Sequence, residues 1–536
     1  MNAIRWDQQW RESVLAGLEQ EWDLLIIGSG ITGAGIFRSA VSAGLKTLLV
    51  EANDFAFGTS SRSSKLVHGG FRYLYNRQYH VTYESVTERE RLLKEAPCLV
   101  EALAFNLPNY TAYEYPSCLF RVGLGMYDLM GRKWAHGTLP HACMLGQVPG
   151  LAADGYLQGF RYQDAVLDDA RLVFRIIRET VQDGGTALNY AAAEDLLRDR
   201  NGKVCGVTLR DKASAQGTIV EVKAKAVINA AGPWCDDIRT NLKAPARLRP
   251  LRGSHIILSA QRLPVSEAVT FFHPKDKRAM FIIPWEGTTL IGTTDIDHSA
   301  GTHPACAEPF ASSPEIDYIL EGIAFLFPRS AISHADILST FAGLRPVIHS
   351  GAAAPSKASR AHQVWEEDGL ITISGGKLTT FRIMARDALA LTSQVSSLRI
   401  KIDQRMPMLK PVCNSSQVQK MDAVERRLIG RSGGEGSMIM EQLSAAERAP
   451  ISGLPAIWGE LKFAAAAEAA LHLDDLLLRR TRIGMLLPQG ARALLPEIRK
   501  MVQQEIGWSD TIWNNEETRY LQIWENYYSP QPGGAK

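Results

Sequence analysis

The chain has 536 residues, 46% hydrophobic, 22% charged and 8% aromatic. These are ordinary globular values, and they exclude wholesale disorder, collagen and coiled coil. Lys plus Arg number 59 and Asp plus Glu 57, a net charge of +2. No global field for capturing nucleic acid exists, so any recognition of an anion or an anionic surface must be local.

At roughly 100–200 residues per domain, the length fits about three domains. The seven cysteines, Cys98, Cys118, Cys143, Cys205, Cys235, Cys306 and Cys413, are scattered and contain no C-x-x-C. That spacing fits neither a disulfide framework nor a metal site, and reduced thiols in a cytoplasmic compartment are expected. The N-terminus carries acids and lacks the apolar segment of a secretory signal. No run of about 18 apolar residues predicts a membrane-spanning helix.

In chain order, Trp6, Trp10, Val14 and Leu18 recur at i, i+4 and predict an amphipathic helix over residues 5–19, docked on the body of the protein. Asp23–Ile27 reads as a strand, Gly28–Gly33 as a glycine-rich turn, the stretch to Ala43 as a helix stopped by Gly44, and Lys46–Val50 as a second strand ending in Glu51. Further strands are predicted at Val204–Leu209, Ile219–Val222, Ala226–Asn229, Ser254–Leu258, Met280–Ile283 and Leu370–Ser374. Residues 117–134 are apolar, with Arg121, Arg132 and Lys133 as basic punctuation. That pattern suits either a helix of the fold or a segment lying on a membrane surface. Residues 415–536 carry helical patterns, including Glu460–Leu478, and read as a helical domain after a linker at 394–414.

The turn Gly28-Ser29-Gly30-Ile31-Thr32-Gly33 has the G-x-G-x-x-G spacing, between a strand and a helix. Gly28 makes the tight turn, Gly30 admits a pyrophosphate to the backbone, and Gly33 lets the helix pack on the strand. Phosphates then meet free N–H groups and the positive end of the helix dipole. Glu51 follows Gly30 by 21 positions, where its carboxylate can accept from a ribose. The motif itself suits NAD or FAD. Val227–Trp234, a strand running into a small-residue turn at Gly232, resembles the second flavin-binding segment of the two-dinucleotide-binding flavoproteins. Thr59, Ser60 and Ser61 suit contacts to a diphosphate, and Ser60 and Ser61 equally suit capping of a following helix.

The run Ser60–Leu74, with Arg62, Ser64, His68, Gly69-Gly70, Arg72 and Tyr73, resembles the signature of the FAD-dependent (aerobic, quinone-linked) glycerol-3-phosphate dehydrogenases. Asp168–Leu172, Arg252–His255, Ile291–Asp295, Gly343–Pro346 and Gly375–Thr380 continue the resemblance in order. It covers residues 23–393 closely and the helical end, including Arg479–Met485, more loosely. The implied fold is α/β: an FAD-binding, Rossmann-like, two-dinucleotide-binding fold of the D-amino-acid-oxidase/glycerol-3-phosphate dehydrogenase type. The FAD-binding domain would take 23–100, 165–250 and 338–393, an inserted α+β substrate domain 101–164 and 251–337, and residues 1–22 an N-terminal extension.

The resemblance implies oxidation of sn-glycerol 3-phosphate to dihydroxyacetone phosphate by hydride transfer to FAD, with electrons passed to membrane quinone. It implies a peripheral protein on the inner face of the cell membrane and admits a homodimer. Arg72, Tyr73, Arg345, Arg360 and Lys377 are then the substrate set, since arginine forks match phosphate oxygens. His68 and His255 are both candidate bases, and Arg345 and Lys377 join them as catalytic candidates. Gly28, Gly30, Gly33, Glu51, Thr59, Ser60, Ser61, Ser64, Gly232, Gly376, Lys377, Leu378 and Thr379 would hold FAD. Alternatives are an oxygen-using glycerophosphate oxidase, a paralogue acting on another small anion, and a flavin-binding sensor or assembly subunit without turnover.

Overall fold

The computed structural model describes residues 5–70, 79–214, 217–298, 308–349 and 361–530. Its first sheet is built on Trp22–Ile27, which pairs in parallel with Thr47–Val50 on one side and Ile219–Asn229 on the other. Leu370–Gly375 and Thr186–Leu188 extend the parallel order outward, and His362–Glu367 closes one edge in antiparallel fashion. The central strands are continuous apolar runs because both faces are covered. Leu24 and Ile26 face helices Ile31–Ser42, Asp169–Gln182 and Phe381–Val395. Leu25 and Ile27 face the hairpin of Ala191–Arg198 and Val204–Asp211.

Two predicted strands are one. Ile219–Asn229 is continuous, its first half pairing with Val204–Asp211 and its second with Trp22–Ile27. The charged residues Glu221, Lys223 and Lys225 lie on the exposed side of an alternating strand.

The second sheet is mostly antiparallel. Leu248–Ser259 lies between Thr288–Gly292 and Ile337–Ile348, and Val100–Tyr110 pairs along its length with Tyr156–Leu167. Helix Ser313–Leu326 packs in one core with this sheet. The helices from Trp458 onward pack in another, where Leu461, Leu476 and Trp513 share space with Phe105, Phe160 and Phe341.

The predicted helix Glu460–Leu478 is broken. It runs Trp458–Ala467, then resumes as a π-turn over Asp475–Arg480. The interruption is where the N-terminal segment docks: Trp6 N–H donates to Ala467 O at 3.2 Å and Ala469 N–H donates to Trp6 O at 2.9 Å. Glu468 turns inward onto Arg171 at 2.7 Å. The first helix is correspondingly shorter than expected, Gln8–Ala16, capped by Asp7. Trp6 leaves it to sit between Phe55, Phe174 and Trp10.

Candidate functional site

The parallel strands end at a common edge, and a cavity of about 490 Å³ runs along it. Its floor is the glycine-rich turn. Gly28 has φ +101°, and a Cβ there would lie 2.7 Å from Ala230 O, so only glycine turns the chain this close to the neighbouring strand end. A Cβ on Gly33 would lie 1.9 Å from Gly28 O. Gly33 is therefore off the cavity wall and works as the packing contact between helix and strand. Gly30 starts helix Ile31–Ser42, and Ser60 Oγ accepts from Ile31 N–H at 2.9 Å. Ser60 thus caps the preceding helix from a distant segment, not the following one.

At one end of the cavity stands Glu51. Its carboxylate accepts from Ser29 N–H at 2.8 Å, Ser29 Oγ at 3.1 Å and Asn53 N–H at 3.0 Å. Burial raises its pKa against those bonds. Gly28, Gly30, Thr59, Ser60, Ser64, Gly232, Gly376, Lys377, Leu378 and Thr379 all line the same cavity. Ser61 does not; its hydroxyl turns back onto Phe57 O and Gly58 O. Thr59 Oγ1 donates to Leu344 O. The turn without side chains, the start of a helix and a carboxylate at the second strand's end are the complement of a dinucleotide, so the residues present fit FAD.

The other end collects the titratable groups. Arg345 stands between Gly343 and Pro346, residues that suit a turn. It lies instead inside strand Ile337–Ile348, opposite Leu251. Its guanidinium donates to Thr294 O at 3.1 Å, Thr293 Oγ1 at 3.1 Å and Asp295 Oδ1 at 2.8 Å. Gly253 leaves room for it, since a Cβ there would lie 2.4 Å from Arg345 Nη2. Asp295 also pairs with Arg278 at 3.1 Å, so one buried carboxylate holds two arginines in place. Lys377 follows the Gly375-Gly376 turn and reaches Ser85 Oγ at 3.0 Å.

His68 and His255 both line this end. Burial, then the charges of Lys377 and Arg89, push His68 down to about 3. Burial, then Arg345 and Lys65, push His255 well below the usual histidine range. Both are therefore neutral near pH 7 and can accept a proton, but a pKa this far below the operating pH makes each a weak base. His255 stacks on Phe341, its Nε2 lies 2.8 Å from Ser64 Oγ, and its buried Nδ1 has no partner among the described residues. Arg72, Tyr73 and Arg360 lie outside the described residues.

Residue order left unread a buried ion network behind the site. Asp54 accepts from Arg479 at 2.6 Å and from Arg480 at 2.7 and 2.8 Å. Arg482 reaches Asp168 at 2.8 Å and Asp169 at 2.6 Å. Asp169 also holds the fully buried Lys65 at 2.8 Å. Burial pushes Lys65 down to about 8, against the attraction of Asp169. The paired acids of Asp168–Leu172 and the arginines of Arg479–Met485 were the sequence signal. Their joint purpose is to pin the helical end onto the cavity's back wall.

Residues 23–391 match the family described as FAD dependent oxidoreductase, and residues 410–512 match the C-terminal domain of alpha-glycerophosphate oxidase. An aerobic glycerol-3-phosphate dehydrogenase of Staphylococcus aureus (strain MRSA252) is 38% identical over 391 residues, 72% of this chain and 69% of the relative. The chain belongs to the FAD-dependent glycerol-3-phosphate dehydrogenase family. The glycerol-3-phosphate dehydrogenase from Bacillus halodurans, solved with FAD, superposes with a TM-score of 0.78 at 28% identity, covering 99% of both chains. The L-alpha-glycerophosphate oxidase from Mycoplasma pneumoniae shares the fold, with a TM-score of 0.56 at 17% identity over 73% of this chain and 98% of that one. This family member is an FAD-dependent oxidoreductase, with the D-amino-acid-oxidase-type fold and a helical C-terminal region.

Proposed function

We propose that this enzyme oxidises sn-glycerol 3-phosphate to dihydroxyacetone phosphate. The observation that carries the reading is one continuous cavity with a glycine cradle and Glu51 at one end, and Arg345, Lys377 and two neutral histidines at the other. FAD, when bound, supplies the acceptor for the hydride leaving C2. Gly28, Gly30 and the amides starting helix Ile31–Ser42 hold its diphosphate, and Glu51 its ribose. Thr59, Ser60, Ser64, Gly232, Gly376, Leu378 and Thr379 form the rest of that wall.

Arg345 and Lys377 bind the substrate phosphate. Asp295 holds Arg345 from behind, so its guanidinium is positioned before substrate arrives, which lowers the ordering cost of binding. The C2 hydroxyl proton passes to the unprotonated imidazole of His68 or His255. Sequence resemblance alone adds Arg72, Tyr73 and Arg360 to the substrate set.

Electrons then pass to membrane quinone, with the protein held peripherally on the inner face of the cell membrane. One observation supports this. Helix Ser117–Gly131 and the turn after it expose Val122 (63%), Leu129 (74%) and Trp134 (74%) beside the exposed Arg121, Arg132 and Lys133. Apolar and basic groups on one surface suit an anionic bilayer. The match of residues 410–512 to an oxidase domain favours a second reading, in which oxygen is the acceptor.

The test is anaerobic mixing of the yellow holoenzyme with glycerol 3-phosphate. Bleaching is expected, and a flavin that stays oxidised refutes the substrate assignment. Re-oxidation by a quinone analogue faster than by air selects the dehydrogenase over the oxidase.

A further inference from the structure

The turn that carries His68 is held by a buried polar triad that substrate and cofactor do not need to touch. Three elements supply it: Arg89 from helix Tyr79–Glu95, Tyr127 from helix Ser117–Gly131 and Asp164 from strand Tyr156–Leu167. The Tyr127 hydroxyl donates to Asp164 Oδ1 at 2.5 Å and accepts from Gly69 N–H at 2.7 Å. Arg89 Nη1 donates to Asp164 Oδ1 at 2.6 Å and to Gln163 O at 3.0 Å. All three side chains are buried. Burial, and then Asp164, raise the Tyr127 phenol far above its ordinary pKa, so its proton stays available to the carboxylate.

Gly69 N–H belongs to the peptide unit that begins at His68. That unit is planar, so fixing this N–H fixes ψ of His68 and with it the direction from which the imidazole leaves the backbone. The approach is close enough to require a residue without a side chain: a Cβ on Gly69 would lie 2.4 Å from Val86 Cγ2 and 2.6 Å from the Tyr127 hydroxyl. The same triad places the Arg89 charge where it acts on His68. A group needed only to fill space would not require a tyrosine, a carboxylate and an arginine together, since burying them unpaired costs more than burying apolar groups.

We propose that Tyr127, Asp164 and Arg89 are positioning residues for His68, acting through the Gly69 amide and not through substrate or FAD. This rests on the proposed use of His68 at the reacting end of the cavity. Misplacing a reacting group by about 1 Å costs on the order of 100-fold in rate.

The test compares Tyr127→Phe and Asp164→Asn holoenzymes with the parent. Flavin content, the rate and apparent Kd of anaerobic flavin reduction by glycerol 3-phosphate, and the His68 imidazole signal in histidine-labelled protein are measured. The expected result is retained flavin, a reduction rate lowered about 10-fold or more, a Kd changed by less than about twofold, and a displaced His68 signal. Reduction within about twofold of the parent with an unmoved His68 signal overturns the proposal. So does loss of flavin or of folding in both variants, or an unchanged rate per bound flavin, because each marks a merely structural role. If the parent itself is not reduced by glycerol 3-phosphate, the substrate reading fails. The His68 signal, which needs no substrate, then decides the positioning claim alone.

Discussion

Replacing Gly33 with alanine tests the cofactor cradle without touching the cavity wall. The added methyl would sit 1.9 Å from the Gly28 carbonyl oxygen and 3.0 Å from its carbon. Reaching even a 3.0 Å contact requires a separation of about 1.1 Å between helix Ile31–Ser42 and the turn. The obstacle is backbone, so no side chain can swing aside. Retreat of the helix is also blocked, because Gly35 already lies against Phe381, where a Cβ would meet the ring at 2.7 Å. Overpacking of this kind costs about 1–3 kcal/mol, and a backbone obstacle belongs at the upper end. The cost falls on folding stability and, where the shifted turn no longer fits the diphosphate that the proposed site holds, on FAD binding, which about 1–3 kcal/mol would weaken by about 5- to 150-fold.

Titration of apoprotein with FAD, followed by quenching of flavin fluorescence, reads the affinity directly. Gly146→Ala is the control, since a Cβ there meets nothing within 4 Å. The reasoning is refuted if the Gly33 variant binds FAD within about twofold of the parent with an unchanged melting midpoint.

Five further outcomes are expected. Arg345→Ala should lower the efficiency of flavin reduction by glycerol 3-phosphate at least about 30-fold, as loss of one partner of a hydrogen-bonded charge pair costs about 2–5 kcal/mol; steady-state comparison with glycerol should show a much smaller loss. With His68 held neutral down to about 3, any acid limb in flavin reduction between about pH 5 and 7 belongs to the substrate phosphate, whose second pKa is about 6, and glycerol as substrate should show none. The same depressed His68 makes its contribution to stability complete above about pH 6.5, where the unfolded imidazole is also neutral, and lost progressively as the pH falls toward about 3, which acid-unfolding curves of a His68→Gln variant would isolate. Asp54→Asn leaves Arg479 and Arg480 short of a buried carboxylate and should cost about 3–5 kcal/mol in denaturant unfolding. Finally, Leu129→Glu with Trp134→Glu should abolish co-flotation with anionic vesicles while leaving flavin reduction by glycerol 3-phosphate intact; unchanged flotation would remove helix Ser117–Gly131 from the membrane reading.

The dinucleotide half of the site was legible from residue order because its parts are neighbours in the chain. Gly28, Gly30 and Gly33 lie within one turn and one helix start, and Glu51 ends the next strand. Local backbone chemistry dictates all four, and the structure brings them together at one sheet edge. The reacting half was legible only as motifs. His68, His255, Arg345 and Lys377 come from separate elements, and nothing in the local pattern of Gly343–Pro346 told strand from turn, since glycine and proline beside an arginine are compatible with both. Ser60 suits both a diphosphate contact and the cap of the next helix, and its hydroxyl instead caps a helix that begins 29 positions earlier, a pairing that leaves no local trace.

What the sequence alone determined is the glycine-rich turn, the alternation of strands and helices around it, and the identity of the charged residues in each motif. These follow from glycine conformations, hydrophobic period and short spacings, which operate over a few residues. Only the tertiary structure decided that Asp295 aims Arg345, that Tyr127, Asp164 and Arg89 hold the His68 turn, and that Arg479 and Arg480 close on Asp54 across 425 and 426 positions. Such pairs leave no periodic trace. Their partners are chosen by burial, where a charge brought out of water must find its counter-charge wherever the packed chain has placed it.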